Sequence, residues 1–207
     1  MRVRWKHICD RCRWEYSTLG LKMNTGHWSR CLMGVALTAL LLVTACAPSS
    51  ESEGLTYNNS KYGYSVEYPK GWDFTEESEG ALILFTGPLI EEAGGSARGK
   101  VVSENLTQAL EMTHEEYVRQ NKLTMGQMFS SLEVVDEYNT VVSGVTATVL
   151  TYTFEWEGIT VKVTNVVFLK DNIGYVIGYD AMLEYYDDYL GCLQLMMSTF
   201  KFKQEIV

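Results

Sequence analysis

The chain has 207 residues, of which 46% are apolar, 21% charged and 12% aromatic, with only 3 prolines, a composition that excludes a disordered tail and a collagen-like or low-complexity chain. Its formal net charge of −9 is unevenly spread: residues 1–45 hold seven Lys and Arg against two acids, a net of +5, whereas the rest holds ten against twenty-four, a net of −14. So acidic a body repels phosphate backbones, and no basic stripe follows Lys22, so nucleic acid is not an expected partner.

At the N-terminus, Met23 reads as the true start, with residues 1–22 an over-extended gene start. Cys9 and Cys12, with His7 nearby, supply at most half of a tetrahedral zinc site, and no second Cys or His pair follows at the expected spacing. Residues 23–45 read as a signal peptide. Arg30 precedes the charge-free run Leu32 to Ala45, whose 14 residues would span about 21 Å as a helix, short of the ~30 Å hydrocarbon core of a bilayer. The run ends in Val43-Thr44-Ala45-Cys46, which resembles the lipobox of bacterial lipoproteins and implies a diacylglycerol on the Cys46 sulfur, with cleavage just before it. An ordinary secretory signal, or a buried core helix, with Cys46 incidental is the alternative. Residues 46–54 are small and polar, as in a flexible tether, and the expected address is the extracytoplasmic face of the cell membrane. The mature chain holds no cysteine besides Cys46 and Cys192, so an acylated Cys46 leaves no internal disulfide, and Cys192 reads as a small core residue.

Folded sequence is expected over residues 55–204. Tyr64 to Tyr68 alternates apolar and polar side chains and stops at Pro69-Lys70-Gly71, which predicts a strand, with Trp72 beyond it as a core anchor. Ala81 to Phe85 predicts a second strand, Gly87 to Gly99 a loop, and Val101 onward a third. Thr113-His114-Glu115-Glu116 matches a capping box opening a helix to about Phe129, with Tyr117, Val118, Met125, Met128 and Phe129 on one face. After Leu132 to Val135 strand character returns, over Val145 to Phe154, Ile159 to Leu169 and Tyr175 to Tyr179, joined by Glu155-Trp156-Glu157-Gly158 and Asp171-Asn172-Ile173-Gly174. Long strands in succession with short turns predict an antiparallel meander. Met182 to Phe200 predicts one amphipathic helix, so the expected class is α+β, an antiparallel sheet of about six strands flanked by helices.

Tyr62-Gly63-Tyr64-Ser65-Val66-Glu67-Tyr68-Pro69-Lys70-Gly71-Trp72 resembles the opening of PsbP-like domains of the Mog1/PsbP fold group. The closing segment, Gly174-Tyr175-Val176-Ile177, then a Tyr-rich acidic stretch and Ser198-Thr199-Phe200, is similar to the end of that family. The resemblance implies an α/β/α sandwich, a non-enzymatic role and a place on the outer side of a membrane; photosynthetic members are extrinsic subunits of photosystem II. It supplies no functional residue.

Candidate chemistry is sparse, and neither a cofactor nor a catalytic centre is predicted. Gly94 to Val101 approaches the phosphate-loop pattern G-x-x-x-x-G-K, but Val101 stands where Ser or Thr would hold magnesium and opens strand-like sequence, which predicts a surface loop. His114 is the one histidine after the leader, and its capping-box position is expected to be solvated, which disfavours a hydrolase built on it. Glu184, Asp187 and Asp188 at i, i+3 and i+4 of the predicted helix could share a cation such as calcium, although acids near a helix start are favoured by its dipole in any case. Trp156, between Glu155 and Glu157 at a hairpin tip, is the large apolar group expected to be exposed, as a partner contact or folded back on the sheet. The expected function is that of a lipid-anchored, exported, non-catalytic interaction or assembly module with an envelope protein as partner. A small-ligand or calcium-binding protein is the alternative.

Overall fold

The computed structural model describes residues 54–108 and 112–203. The proposed start at Met23, the signal segment, Cys46 and the tether up to residue 53 lie outside the described residues.

The centre of the fold is a meander. β6 (Glu133–Val142), β7 (Val145–Trp156), β8 (Ile159–Lys170) and β9 (Ile173–Met182) run antiparallel, each paired to the next. Their turns are two residues long and left-handed at both positions: Ser143 and Gly144 (φ 50° and 80°), Glu157 and Gly158 (51° and 83°), Asp171 and Asn172 (50° and 59°). Turns of this hand match the twist of the strands they join, and Gly, Asn and Asp tolerate the conformation best. β7, β8 and β9 are rich in Val, Thr, Phe and Tyr and buried on both faces, so their apolar residues run on without strict alternation. Three further strands complete the sheet: β3 (Asp73–Glu77), β4 (Leu82–Thr86) and β5 (Arg98–Asn105), in the order β3-β4-β5-β9-β8-β7-β6.

A second sheet of three strands has β2 (Tyr64–Pro69) between β1 (Gly54–Asn59) and the short β10 (Lys201–Phe202). Tyr64, Val66 and Tyr68 of β2 point inward at period two, and Tyr64 stacks on Phe200 with ring centres 5.0 Å apart, while Tyr68 stacks on Phe85 at 4.8 Å. Trp72 is buried, held behind the turn in which its amide bonds Pro69 O at 3.2 Å. The opening motif is therefore a covering layer for one face of the large sheet. Helix α2 (Gly191–Thr199) completes that layer through Cys192, Leu193 and Met196.

Helix α1 (His114–Met128) covers the opposite face, setting Tyr117, Val118 and Met125 against Leu150, Tyr152, Val167 and Val176. Thr113 caps it, accepting a hydrogen bond from the Glu116 amide at 3.2 Å. Gly174 in β9 lets α1 come this close, for the Tyr117 ring occupies the space that a Cβ at Gly174 would need. The result is an α+β sandwich with antiparallel sheets, as the sequence leads one to expect, but with seven strands in the main sheet and three more beside it.

The predicted single helix over Met182 to Phe200 is corrected by the structure. A short 3-10 helix (Leu183–Tyr185) and a turn precede α2. The interruption has a physical cause. The Tyr186 carbonyl accepts the Tyr179 hydroxyl at 2.8 Å, and the Tyr186 hydroxyl is engaged by Thr164 at 2.6 Å. The sequence between, Tyr185-Tyr186-Asp187-Asp188-Tyr189, followed by Gly191, has too little helix propensity to override those bonds.

Candidate functional site

The sequence-derived candidates do not assemble into one centre. Glu184 lies in the 3-10 helix and Asp187 and Asp188 in the following turn, all exposed, so the helical spacing that would have gathered them is lost. Among the described residues no three His, Cys, Asp or Glu side chains form a group that could hold a metal.

The expectation that His114 is solvated is also corrected. His114 is half-buried on the α1 side, its Nε2 sits 2.9 Å from Thr148 Oγ1, and Thr148 in turn donates to Asn139 Oδ1 at 2.9 Å. Burial holds its pKa below the usual imidazole value, with Glu115 working the other way. Its Thr148 contact makes His114 a pin between α1 and β7.

Of the two readings of Trp156, exposed partner contact or folded back on the sheet, its position fits the second. It is the last residue of β7, half-buried, with its ring edge-on to Phe129 at 6.1 Å, and Phe129 in turn stacks on Phe154 at 3.8 Å. The indole folds back on the α1 side of the sheet. Lys100 and Val101, from the phosphate-loop look-alike, are strand residues of β5 paired with Gly178 and Ile177. Lys100 Nζ stands 3.9 Å from the buried Asp180, whose carboxylate also takes Arg98 at 2.7 Å. Cys192 is buried in α2, its thiol pKa pushed up to about 12 by burial, and it donates to Met196 Sδ at 3.6 Å.

Four of the exposed large apolar side chains share one strand, β6. This strand closes the large sheet with its outer side unpaired among the described residues, and Val134, Val135, Tyr138 and Val141 are each more than half exposed. A bulge at Val135 shifts the register, so Val134 faces Tyr152 while Asp136 faces Thr151. On the α2 side, Asp136 and Tyr138 border an open groove of about 250 Å³, closed below by Val149, Thr151 and Thr164 and on the far side by Tyr186 and Leu190. Lys162 lies over the Tyr186 ring at 4.2 Å, and Thr151, Thr164 and Tyr186 form a chain of hydroxyl contacts at 2.8 and 2.6 Å. A groove of this size has room for one large side chain. A second hollow, of about 340 Å³, lies between Ile159, Thr160 and Met182, Leu183, Glu184.

Sequence reasoning missed β6, resuming strand only at Val145. The signal was present: Val141-Val142-Ser143-Gly144-Val145 sets a two-residue turn with Gly between β-branched residues, the mark of a hairpin whose first strand must precede it.

Comparison with known proteins bears on the whole domain rather than on any one residue. No curated protein matches the chain. Cyanobacterial PsbP (CyanoP) from Synechocystis sp. PCC 6803 superposes with a TM-score of 0.53 at 15% identity, over 77% of this chain and 98% of its own. The Ran-binding protein Mog1p from Saccharomyces cerevisiae does so with a TM-score of 0.51 at 13% identity, over 73% and 96%. At such identities the likeness concerns the fold. The family model described as PsbP-like protein matches residues 45–202, spanning the aromatic opening of β2, the meander and the closing Phe200, and the chain therefore belongs to the PsbP-like protein family.

Proposed function

We propose that this protein is a lipid-anchored, exported, non-catalytic interaction or assembly module of the cell envelope, its PsbP-like domain tethered to the extracytoplasmic face of the membrane. One observation carries the reading: a basic residue, a charge-free apolar run too short to span a bilayer, small residues and Cys46 follow one another in that order, and the family match begins at residue 45. A single acyl chain gives only marginal membrane binding, whereas a lipoprotein thioether carries two and holds firmly. Binding rather than catalysis is supported by where the surface features lie, since four exposed apolar side chains share the β6 edge while His114 is half-buried with its Nε2 against Thr148.

Metabolic labelling with a clickable palmitate analogue tests the anchor. The parent chain should be labelled and sediment with membranes, and Cys46→Ser should be unlabelled. Equal labelling of the two would overturn the reading.

A further inference from the structure

We infer that β6 is a docking edge, to which an extended segment of a partner protein, alternating apolar residues with Lys or Arg at its ends, adds as an eighth strand of the large sheet. This rests on the interaction-module reading and names the chemistry of its partner.

The two edges of the large sheet are built differently. β3 has five residues, three of them acidic, and its apolar Phe74 is flanked by the rings of Tyr57 and Tyr68 at 5.4 and 5.8 Å. Short, charged edges of this kind resist pairing. β6 has ten residues, about 34 Å of strand, and its second half, Tyr138 to Val142, carries neither charge nor proline nor bulge. Such an edge presents unpaired amide and carbonyl groups to an incoming strand, and main-chain pairing supplies affinity while alternate side chains supply selection.

The side chains around β6 define what fits. On the α2 side a partner residue beside Tyr138 meets the groove closed by Thr151, Thr164 and Leu190, which suits one aromatic or branched side chain. On the α1 side it meets Val134 and Val141. The charged groups are mostly of one sign. Glu133, Asp136 and, across the groove, Asp187 form no ion pair among the described residues, Glu137 is paired with Lys122, and Lys162 lies against Tyr186. A second copy of this chain would bring one body of net charge −14 against another, whereas a strand ending in Lys or Arg is complementary.

The test uses the full chain in detergent and the fluorescent peptide Lys-Val-Thr-Val-Tyr-Val-Thr-Val-Lys, read by anisotropy. Three companions are measured beside it: a Glu-ended version, and two versions N-methylated at alternate amides along one peptide edge or the other. The proposal expects the Lys-ended peptide to bind at least tenfold more tightly than the Glu-ended one. One N-methylated version should bind and the other should not, and Asp136→Lys and Val141→Lys, at exposed positions, should each weaken binding at least tenfold with Tm unchanged. Absence of binding, equal binding of both N-methylated versions, or indifference to both substitutions overturns it. So does a dimer in sedimentation that Val141→Lys dissolves, because the occupant would then be a second copy. Acyl labelling of Cys46 is scored separately, so a labelled chain that ignores the peptide removes the β6 assignment and leaves the anchor standing.

Discussion

The two faces of the seven-stranded sheet are covered by different means, and the α2 side is the more deeply buried. On the α2 side, rings from both sheets interlock: Tyr64, Phe168, Tyr175 and Phe200 form a continuous set of stacked and edge-on pairs at 5.0 to 6.1 Å. The hydroxyls there are engaged, Tyr175 donating to Tyr62 O and Tyr179 to Tyr186 O, each at 2.8 Å. On the α1 side a single helix packs on a mainly aliphatic surface, and several enclosed polar atoms find no partner among the described residues, namely His114 Nδ1, Tyr152 Oη, Trp156 Nε1 and Asn165 Oδ1. Ser103 Oγ, which faces the α2 side, is the fifth such atom. The difference separates a face that fixes the fold from one whose cover is held by fewer and less satisfied contacts.

Truncations on the two faces should therefore differ most. Phe200 is buried between Tyr64 and Phe168, and Phe200→Ala leaves a void that two joined sheets cannot collapse around, costing about 3–5 kcal/mol. Met125→Ala in α1 should cost about 2 kcal/mol, near the bottom of its range, because one helix can settle inward. Each kcal/mol is worth about 2–4 °C in a domain of this size, so thermal melting separates the two variants readily. Equal losses would erase the contrast between the faces.

Gly174→Ala probes how α1 is seated. The added methyl overlaps the Tyr117 ring, and overpacking of this kind costs about 1–3 kcal/mol. The loss should be local, with amide exchange in α1 accelerated while β2 and α2 stay protected. Uniform acceleration across both faces would mean that α1 is integral to the whole core.

Hydroxyl deletions should have unequal effects on the two faces. Tyr179→Phe strands the Tyr186 carbonyl and should cost about 1–3 kcal/mol. Tyr152→Phe removes an enclosed hydroxyl without a partner, whose pKa burial and then Glu137 push up to about 12, and should be neutral or slightly stabilising. A comparable loss in both variants would show that Tyr152 Oη has a bonding partner after all.

The α2-side face was the more legible one in the sequence, and the reason is physical. Tyr64, Val66 and Tyr68 are large side chains at strand period followed by a Pro-Lys-Gly turn with Trp72 beyond it, so their inward face and their end are both written locally. The Gly158 hairpin and the Thr113 cap are local in the same sense. What local pattern does not carry is neighbourhood. Periodicity says which side of a strand is buried but not that β2 belongs to a separate sheet, nor that β6 lies at an edge where the valines stay wet. The break at Tyr186 was hidden for a related reason, since the Tyr179 and Thr164 groups that hold it come from β9 and β8, outside the segment whose helical period was read. The candidate site fared worse than the fold, because exposure decides its value and exposure is a tertiary property, as the half-buried Trp156 shows.

The smallest expected effect concerns the polar contact under α1. Burial lowers the folded-state pKa of His114 below the ordinary 6.5, so the unfolded chain takes up this proton more readily than the folded one. The sign follows: the contribution is fully present above about pH 6.5, where the ring is neutral in both states, and is lost as pH falls through the lowered folded value. Between those limits α1 should loosen, since a protonated ring must shed its desolvation cost by leaving Thr148, and the Thr148-Asn139 bond to β6 loses its third member. Denaturant titrations of the parent and of His114→Asn from pH 7.5 to 5 measure the difference in slope. The parent should lose more stability than the variant below pH 6.5, and parallel curves would show that the imidazole is as well solvated folded as unfolded.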